Sequence, residues 1–308
     1  MPPDGWSLES GDSLALLKKI RSAGVPLGEF VKGRFYYGIK TGFNEAFVVD
    51  RATRDTLIAE HPSSAEVLKP FLRGRDVKRW KAESKDLWLI FTRQGIDIKK
   101  YPAILRHLTQ FRKQLEPRPK DWPAGEKWEG RKPGPYKWYE IQDNIAYYRE
   151  FKEEKIIYPD IRTQATFAVV ESGFYSGDTT AMCIPPVDLW SVAAILNHPI
   201  SEWFMRSIAP EIQGGFLRFK PMYVTQIPLP PSFGKSTDPW GISQLAKQAA
   251  RNGDEVELEA RIFSLYGLDA DEIRVIRDGL AGVRSGRGSS ESETVPDTEN
   301  GEGARELM

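Results

Sequence analysis

The single cysteine of this 308-residue chain, Cys183, and its three well-separated histidines constrain the fold more than any other feature. One thiol cannot form an internal disulfide, and a zinc site needs several closely spaced Cys and His ligands. The chain must therefore fold by burying apolar side chains. With 40% hydrophobic residues it can form about two domains. A lone cysteine is typical of a reducing compartment, so we expect a cytoplasmic protein.

Apolar periodicity predicts a mixture of short strands and helices, which is an α+β protein. Strands are predicted at 34–39, 45–50, 86–91, 155–159, 166–170 and 179–184. Helices are predicted at 12–24, 51–60, 63–69, 101–115, 189–196, 199–208 and 269–280. Residues 117–138 are rich in Pro, Gly, Trp and Lys and predict an irregular loop. We find no apolar run near the roughly 20 residues of a membrane span and no signal-peptide pattern.

Charge is segregated along a chain that is neutral overall, with 43 basic and 43 acidic residues. Residues 69–120 contain 15 Lys and Arg but only 5 Asp and Glu, whereas residues 251–308 contain 7 and 14. The basic segment is not a low-complexity tail, because apolar residues alternate with the cations. A folded basic segment of this kind indicates a surface that binds a polyanion, and we expect that polyanion to be nucleic acid.

The densest group of candidate DNA-binding cations lies in the run from Lys69 to Trp80. Its members are Lys69, Arg73, Arg75, Lys78 and Arg79. Arginine guanidinium groups bind phosphates or guanine through two parallel hydrogen bonds, and lysines supply point charge. The alternative is that Arg75 and Asp76 pair within a turn while the apolar residues of the run belong to the core.

Seven further polar residues are candidate DNA contacts because they lie in predicted turns or at strand ends. They are Lys40, Thr41 and Asn44 in one turn, Arg162 and Gln164 after a strand, and Arg218 and Lys220 after two glycines. Glycines allow a close approach of the backbone to phosphate. Ordinary hairpin chemistry explains the first turn equally well, and a solvated loop explains the second group.

Catalytic motifs are incomplete in this sequence, so we predict no catalytic residue and no metal ligand. The segment Gly38–Gly42 has Ile39 where a phosphate-binding loop has glycine before its lysine. Asp160 and Glu171 resemble the paired carboxylates of Mg²⁺-dependent nucleases, but Gly173 occupies the position of the usual lysine. A nuclease using Asp160 and Glu171 is one alternative function. A protein-interaction subunit of a phage-defence complex is another.

Several strings of residues resemble one known family in the same order along the chain. They are 37–47 (YGIKTGFNEAF), 68–80 (LKPFLRGRDVKRW), 138–143 (WYEIQD), 155–160 (KIIYPD), 196–197, 214–215, 226–230 (QIPLP) and 262–273. The family is the TaqI-like C-terminal specificity domain of adenine-specific DNA methyltransferases and fused type IIG restriction-modification enzymes. The resemblance covers about residues 6–281.

This resemblance implies a target recognition domain at 25–232, after a helical lead-in at 1–24. A small helical tail domain follows at 233–281, and we expect residues 282–308 to be disordered. In the family a separate domain binds S-adenosylmethionine and methylates adenine N6 after flipping the base out. The glycine-rich and Asn-Pro-Pro-Tyr motifs of that domain do not occur here. The resemblance therefore implies double-stranded DNA and a methyltransferase domain or subunit as partners, with no cofactor in this chain.

Overall fold

The computed structural model describes residues 11–212, 215–230 and 241–285. Gly214, which belongs to the predicted glycine pair, and most of the tail beyond 282 lie outside the described residues. Where that tail is described, it continues the last helix as far as Ser285. Among the described helices, none has the length and apolar character needed to cross a membrane.

Short helices and short strands make up the described residues, which confirms the predicted α+β class. The helices are α1 Gly11–Ser22, α2 Leu27–Phe30, α3 Asn44–Phe47, α4 Arg51–Glu60, α5 Pro102–Thr109, α6 Arg112–Leu115, α7 Leu189–Asn197, α8 Pro199–Ile208, α9 Pro221–Val224, α10 Ile242–Asn252, α11 Val256–Leu265 and α12 Ala270–Ser285. The strands are β1 Val25–Pro26, β2 Phe35–Tyr37, β3 Val48–Val49, β4 Leu68–Leu72, β5 Leu87–Ile90, β6 Lys155–Pro159, β7 Ile161–Arg162, β8 Ala168–Val170, β9 Tyr175–Ser176, β10 Thr180–Cys183, β11 Glu211–Ile212, β12 Phe216–Arg218 and β13 Pro228–Leu229.

A four-stranded antiparallel sheet in the order β2-β10-β6-β8 separates two apolar cores. Side chains alternate across it: Ile156 and Tyr158 of β6 enter the first core, and Ile157 enters the second. Every residue of β6 is buried because both faces of the sheet are covered. The first core includes α1, α7, α8 and the C-terminal helices, and the second includes α4, α5 and the β3–β5 strands.

A second sheet, in the order β3-β5-β4-β9, contains the start of the basic run. Strand β4 pairs antiparallel with β5 and parallel with β9, where Leu72 lies opposite Ser176. The end of the helix predicted at 63–69 is therefore wrong. A 3₁₀ turn spans Pro62–Glu66, and the chain then extends because Leu68, Phe71 and Leu72 bury in the second core.

The C-terminal helices α10, α11 and α12 pack on the same core as α7 and α8. Ile242, Leu258 and Phe263 are buried together with residues of α7 and α8 in the first core. An ion pair between Lys19 Nζ and Glu272 Oε2, at 2.6 Å, also joins α1 to α12. The described part of the predicted tail thus shares its core with the rest of the protein.

Candidate nucleic-acid interface

The turn between β9 and β10, residues 177–179, is the point at which the candidate segments meet. Gly38 N donates to Thr180 O at 2.9 Å, and Ile39 N donates to Ser176 O at 2.7 Å. A Cβ atom on Gly38 would lie 1.9 Å from Gly177 O, so only glycine fits there. This close backbone contact places the turn that contains Lys40 beside the β9–β10 turn.

The basic run reaches the same turn through Gly74. A Cβ atom on Gly74 would lie 2.8 Å from Thr179 Oγ1. Arg162 Nη2 donates to Gly74 O at 2.7 Å, which attaches the segment after β6 to the basic run. Arg73 donates from Nε and Nη2 to the two carboxylate oxygens of Asp76, both at 2.9 Å. Part of the positive charge here is therefore neutralised by Asp76.

Backbone hydrogen bonds of Asp160 connect the segment of Arg218 and Lys220 to the β9–β10 turn. Asp160 N donates to Thr179 O at 2.9 Å, and Phe219 N donates to Asp160 O at 2.7 Å. Burial raises the pKa of Asp160, while the charges of Arg218 and Lys220 act in the opposite direction. The two cations thus lie close enough to this half-buried carboxylate to affect its ionisation.

The side chains of Thr41 and Asn44 form hydrogen bonds within the first turn. Thr41 is buried, and its Oγ1 donates to Asn44 Oδ1 at 2.7 Å and accepts from Phe43 N at 3.1 Å. This local bonding produces the α3 turn in place of the start of the strand predicted at 45–50. Lys40 is half-buried, and Asp143 N donates to its carbonyl oxygen at 3.2 Å.

Arg131 holds this turn from the other side, and sequence reasoning did not identify it. Its side chain is 3% exposed and donates to five carbonyl oxygens. One of them is Thr41 O, at 2.8 Å from Nη1. Burial lowers the pKa of Arg131 to about 10. Because these partners are backbone atoms, no side-chain motif in the sequence marks Arg131 among the cations of its loop.

Two cations of the basic run lie apart from the β9–β10 turn. Lys69 is on β4, where burial lowers its pKa and nearby Lys152 acts in the same direction. Arg79 forms an ion pair with Glu255 and donates from Nη1 to Asn197 O at 2.6 Å. Its side chain therefore connects the basic run to the C-terminal helices.

The run is not one continuous cationic surface. Phe71, Leu72, Val77 and Trp80 are buried, as the core interpretation of the apolar residues requires. Arg75 and Lys78 are exposed, and Gln164 is exposed beyond β7. The structure thus brings the segments of Lys40, Arg73, Arg75, Arg162, Arg218 and Lys220 around one turn. That these residues contact DNA stays a prediction.

Asp160 and Glu171 lie at opposite ends of β6. Antiparallel pairing places Val170 opposite Lys155, whereas Asp160 follows Pro159 at the other end. The strand rise separates the two carboxylates by about 20 Å. They cannot share one Mg²⁺, so the nuclease alternative based on this pair is wrong. In the described parts of the chain, no group of three or more His, Cys, Asp and Glu residues is arranged to hold a metal ion.

Comparison with known proteins decides the family. The model of the TaqI-like C-terminal specificity domain matches residues 69–229, just over half of the chain. This protein belongs to that family. A recognition role in restriction and modification follows from its membership in a family of specificity domains.

Curated relatives of this TaqI-like specificity domain include two type II methyltransferases. M.PaeR7I of Pseudomonas aeruginosa is 25% identical over 273 residues, covering 87% of this chain and 44% of the relative. M.XhoI of Xanthomonas vasicola is 24% identical over 276 residues, covering 88% of this chain and 46% of the relative. The chain therefore spans less than half the length of these methyltransferases.

Solved structures confirm the fold. The type IIL restriction-modification enzyme MmeI in complex with DNA aligns with a TM-score of 0.53 at 14% identity, covering 82% of this chain and 35% of MmeI. The type IIG restriction endonuclease BpuSI aligns with a TM-score of 0.52 at 12% identity, covering 90% of this chain and 33% of BpuSI.

Proposed function

We propose that this TaqI-like specificity domain recognises a sequence in duplex DNA and positions it for an adenine-N6 methyltransferase domain. The observation that carries the proposal is the convergence of four sequence-distant segments on the β9–β10 turn. Gly38 and Asp160 make backbone hydrogen bonds there, and Gly74 packs against Thr179. The cations of these segments supply salt-dependent affinity for phosphates.

Sequence reading requires polar groups that reach base edges in the major groove. Gln164 is exposed, and its amide has the donor and acceptor that pair with adenine N6 and N7. Arg75 is also exposed, and its guanidinium group has the two parallel donors that pair with guanine O6 and N7. We propose these two side chains as base-reading residues and the other cations as phosphate contacts.

The methylation step belongs to a different domain or subunit in this proposal. The support is that the relatives are methyltransferases, of which this chain spans less than half. That partner would bind S-adenosylmethionine and take the adenine out of the duplex. The recognition domain would hold the flanking duplex while the base is extruded.

Selection from a randomised duplex library tests recognition. The purified chain is incubated with the library at several salt concentrations, and bound DNA is sequenced. We expect enrichment of one motif and an affinity that falls steeply with salt. Bound DNA with no enriched motif, or an affinity that does not respond to salt, would overturn the proposal.

A methylation assay tests the partnership. The chain is mixed with the methyltransferase domain or subunit that the proposal requires and with S-adenosylmethionine, using a duplex that carries the enriched motif. We expect adenine methylation only when both components are present. Methylation of the same motif without this chain would show that it does not position the target.

A further inference from the structure

A loop beside the candidate interface carries a second concentration of positive charge. The basic arm, which we define as residues 117–138, contains six Lys and Arg against three Asp and Glu. Five of its cations are exposed and have no acidic partner within 4 Å in the described parts of the chain. They are Arg118, Lys120, Lys127, Lys132 and Lys137.

The basic arm has a defined shape although it contains no regular helix or strand. Its two ends are joined where Arg118 N donates to Arg131 O and Arg131 N donates to Glu116 O, both at 3.0 Å. The rings of Trp122 and Trp128 pack edge to face with centroids 4.7 Å apart. Trp128 Nε1 also donates to Glu116 O at 3.1 Å. The exposed cations are thus displayed on a folded loop.

Arg131 makes the basic arm continuous with the candidate interface. Its guanidinium group lies inside the base of the arm and donates to Thr41 O, next to Lys40. A Cβ atom on Gly42 would lie 2.6 Å from Arg131 Cδ. The backbone of the Lys40 turn therefore packs against the Arg131 side chain of the arm. The positive charge of the arm therefore extends that of the interface.

The surface chemistry of the arm fits a polyanion better than a protein. Among the described residues, the exposed large apolar side chains are Leu14, Val25, Tyr37, Met222 and Val256, and none of them lies in the arm. Protein interfaces usually depend on a buried apolar or aromatic centre. Solvated lysines and arginines without acidic partners are suited to phosphates, where they displace counterions.

We propose that the basic arm contacts the phosphate backbone of duplex DNA. The contacted phosphates would flank the stretch of DNA that binds at the β9–β10 turn. This inference rests on the proposed function and extends it to residues outside the candidate interface. The arm would add affinity and fix the orientation of the duplex without reading its sequence. Its contacts would broaden the footprint on one side of the recognised motif.

The test replaces Arg118, Lys120 and Lys132 together with Gln. A control variant replaces Lys18, Lys247 and Arg251, which are also exposed and lie on α1 and α10, so that the loss of charge is equal. Both variants and the unmodified chain are titrated with a duplex of about 30 base pairs that carries the enriched motif at its centre, between about 50 and 200 mM salt. Circular dichroism and thermal unfolding confirm that all three are folded.

We expect the arm variant to lose affinity on the order of tenfold and the slope of log affinity against log salt to fall by about one to three. The control should keep the slope of the unmodified chain. Hydroxyl-radical footprints should lose protection on one flank in the arm variant only. An arm variant that matches the control would overturn the inference and leave the proposed function standing. An unmodified chain that does not bind duplex DNA would overturn both.

Discussion

The guanidinium of Arg131 donates from Nη1 to the carbonyl oxygen of Thr41 at 2.8 Å, although 90 positions separate the two residues in the sequence. The same side chain also bonds the carbonyl oxygens of Leu115 and Glu140 at 2.8 Å. One buried cation thereby ties three segments together: the end of α6, the segment of Glu140 and the turn that carries Lys40. The position of the candidate interface depends on this contact.

Replacing Arg131 with Met should destabilise the protein by more than about 3 kcal/mol. Methionine fills much of the space, but it removes the guanidinium donor from five buried or partly buried carbonyl oxygens, of which Thr41 O keeps a second bond from Gln142 N. Arg131→Lys should be intermediate because an ammonium group cannot reach all five. Urea denaturation followed by tryptophan fluorescence measures the change. An unaltered urea midpoint for Arg131→Met would show that the hydrogen bonds of Arg131 are not needed for stability.

Gly38→Ala should be strongly destabilising, by about 3 kcal/mol or more. The added methyl would lie 1.9 Å from Gly177 O, and two backbone segments would have to separate. Gly11→Ala is the matched control, because no atom lies within 4 Å of its Cβ position. Thermal unfolding of the two variants should differ clearly. If both unfold at the temperature of the unmodified chain, the close approach of Gly38 to Gly177 is incorrect.

Local sequence patterns predicted the elements whose apolar spacing matches their final burial. Helix α4 spans the predicted 51–60, β6 spans the predicted 155–159, and α8 spans the predicted 199–208. In these segments the apolar residues face one core, or fill both faces of a covered strand. Periodicity and burial then carry the same information.

Long-range backbone contacts were beyond prediction from one sequence. The parallel pairing of β4 with β9 joins residues about a hundred positions apart, and it turned a predicted helix end into a strand. Trp80 adopts a φ of 75°, which is rare for a residue other than glycine. Its backbone is held by bonds with Phe167 and Val169, so tertiary contacts override local preference.

The neighbouring residues Lys78 and Arg79 should separate DNA binding from stability. Lys78 is exposed, so Lys78→Gln should reduce the salt slope of DNA binding by about one and leave the free energy of unfolding unchanged. Arg79 pairs with Glu255, so Arg79→Gln should cost about 1–3 kcal/mol of stability and alter the slope little. Filter binding and urea denaturation provide the two readouts. The reverse pattern would place Arg79 on the DNA and Lys78 in a structural role.

Plasmid DNA should stay intact when the purified chain is incubated with Mg²⁺. The carboxylates of Asp160 and Glu171 are about 20 Å apart along β6 and cannot act on one metal ion. Agarose gels of the unmodified chain, Asp160→Asn and Glu171→Gln should be indistinguishable. Cleavage that both substitutions abolish would contradict this geometry.

His198 should make the protein less stable as the pH falls below neutrality. The residue is 2% exposed. Its Nδ1 accepts from Ile200 N at 3.1 Å, and its Nε2 donates to Glu259 O at 3.2 Å. Because one ring nitrogen accepts and the other donates, the imidazole must be neutral. Burial lowers its pKa to about 3, and the cations Arg79 and Arg277 act in the same direction. The unfolded chain, with an ordinary histidine pKa of 6.5, gains a proton that the folded protein excludes. This stabilisation is complete above pH 6.5 and is lost progressively as the pH falls towards 3.

The matched variant for this prediction is His198→Asn, which keeps a side chain able to cap α8 but does not titrate. Between pH 7.5 and pH 5.0 the unmodified chain should lose about 2 kcal/mol more of its unfolding free energy than the variant. Asp143 and Asp160, whose pKa values are raised by burial, are present in both proteins, so their contributions cancel in the comparison. Urea denaturation at the two pH values measures the difference. Equal losses in the two proteins would mean that His198 takes up its proton in the folded state as well. Its Nδ1 could then not accept from Ile200 N, which would contradict this hydrogen-bond pattern.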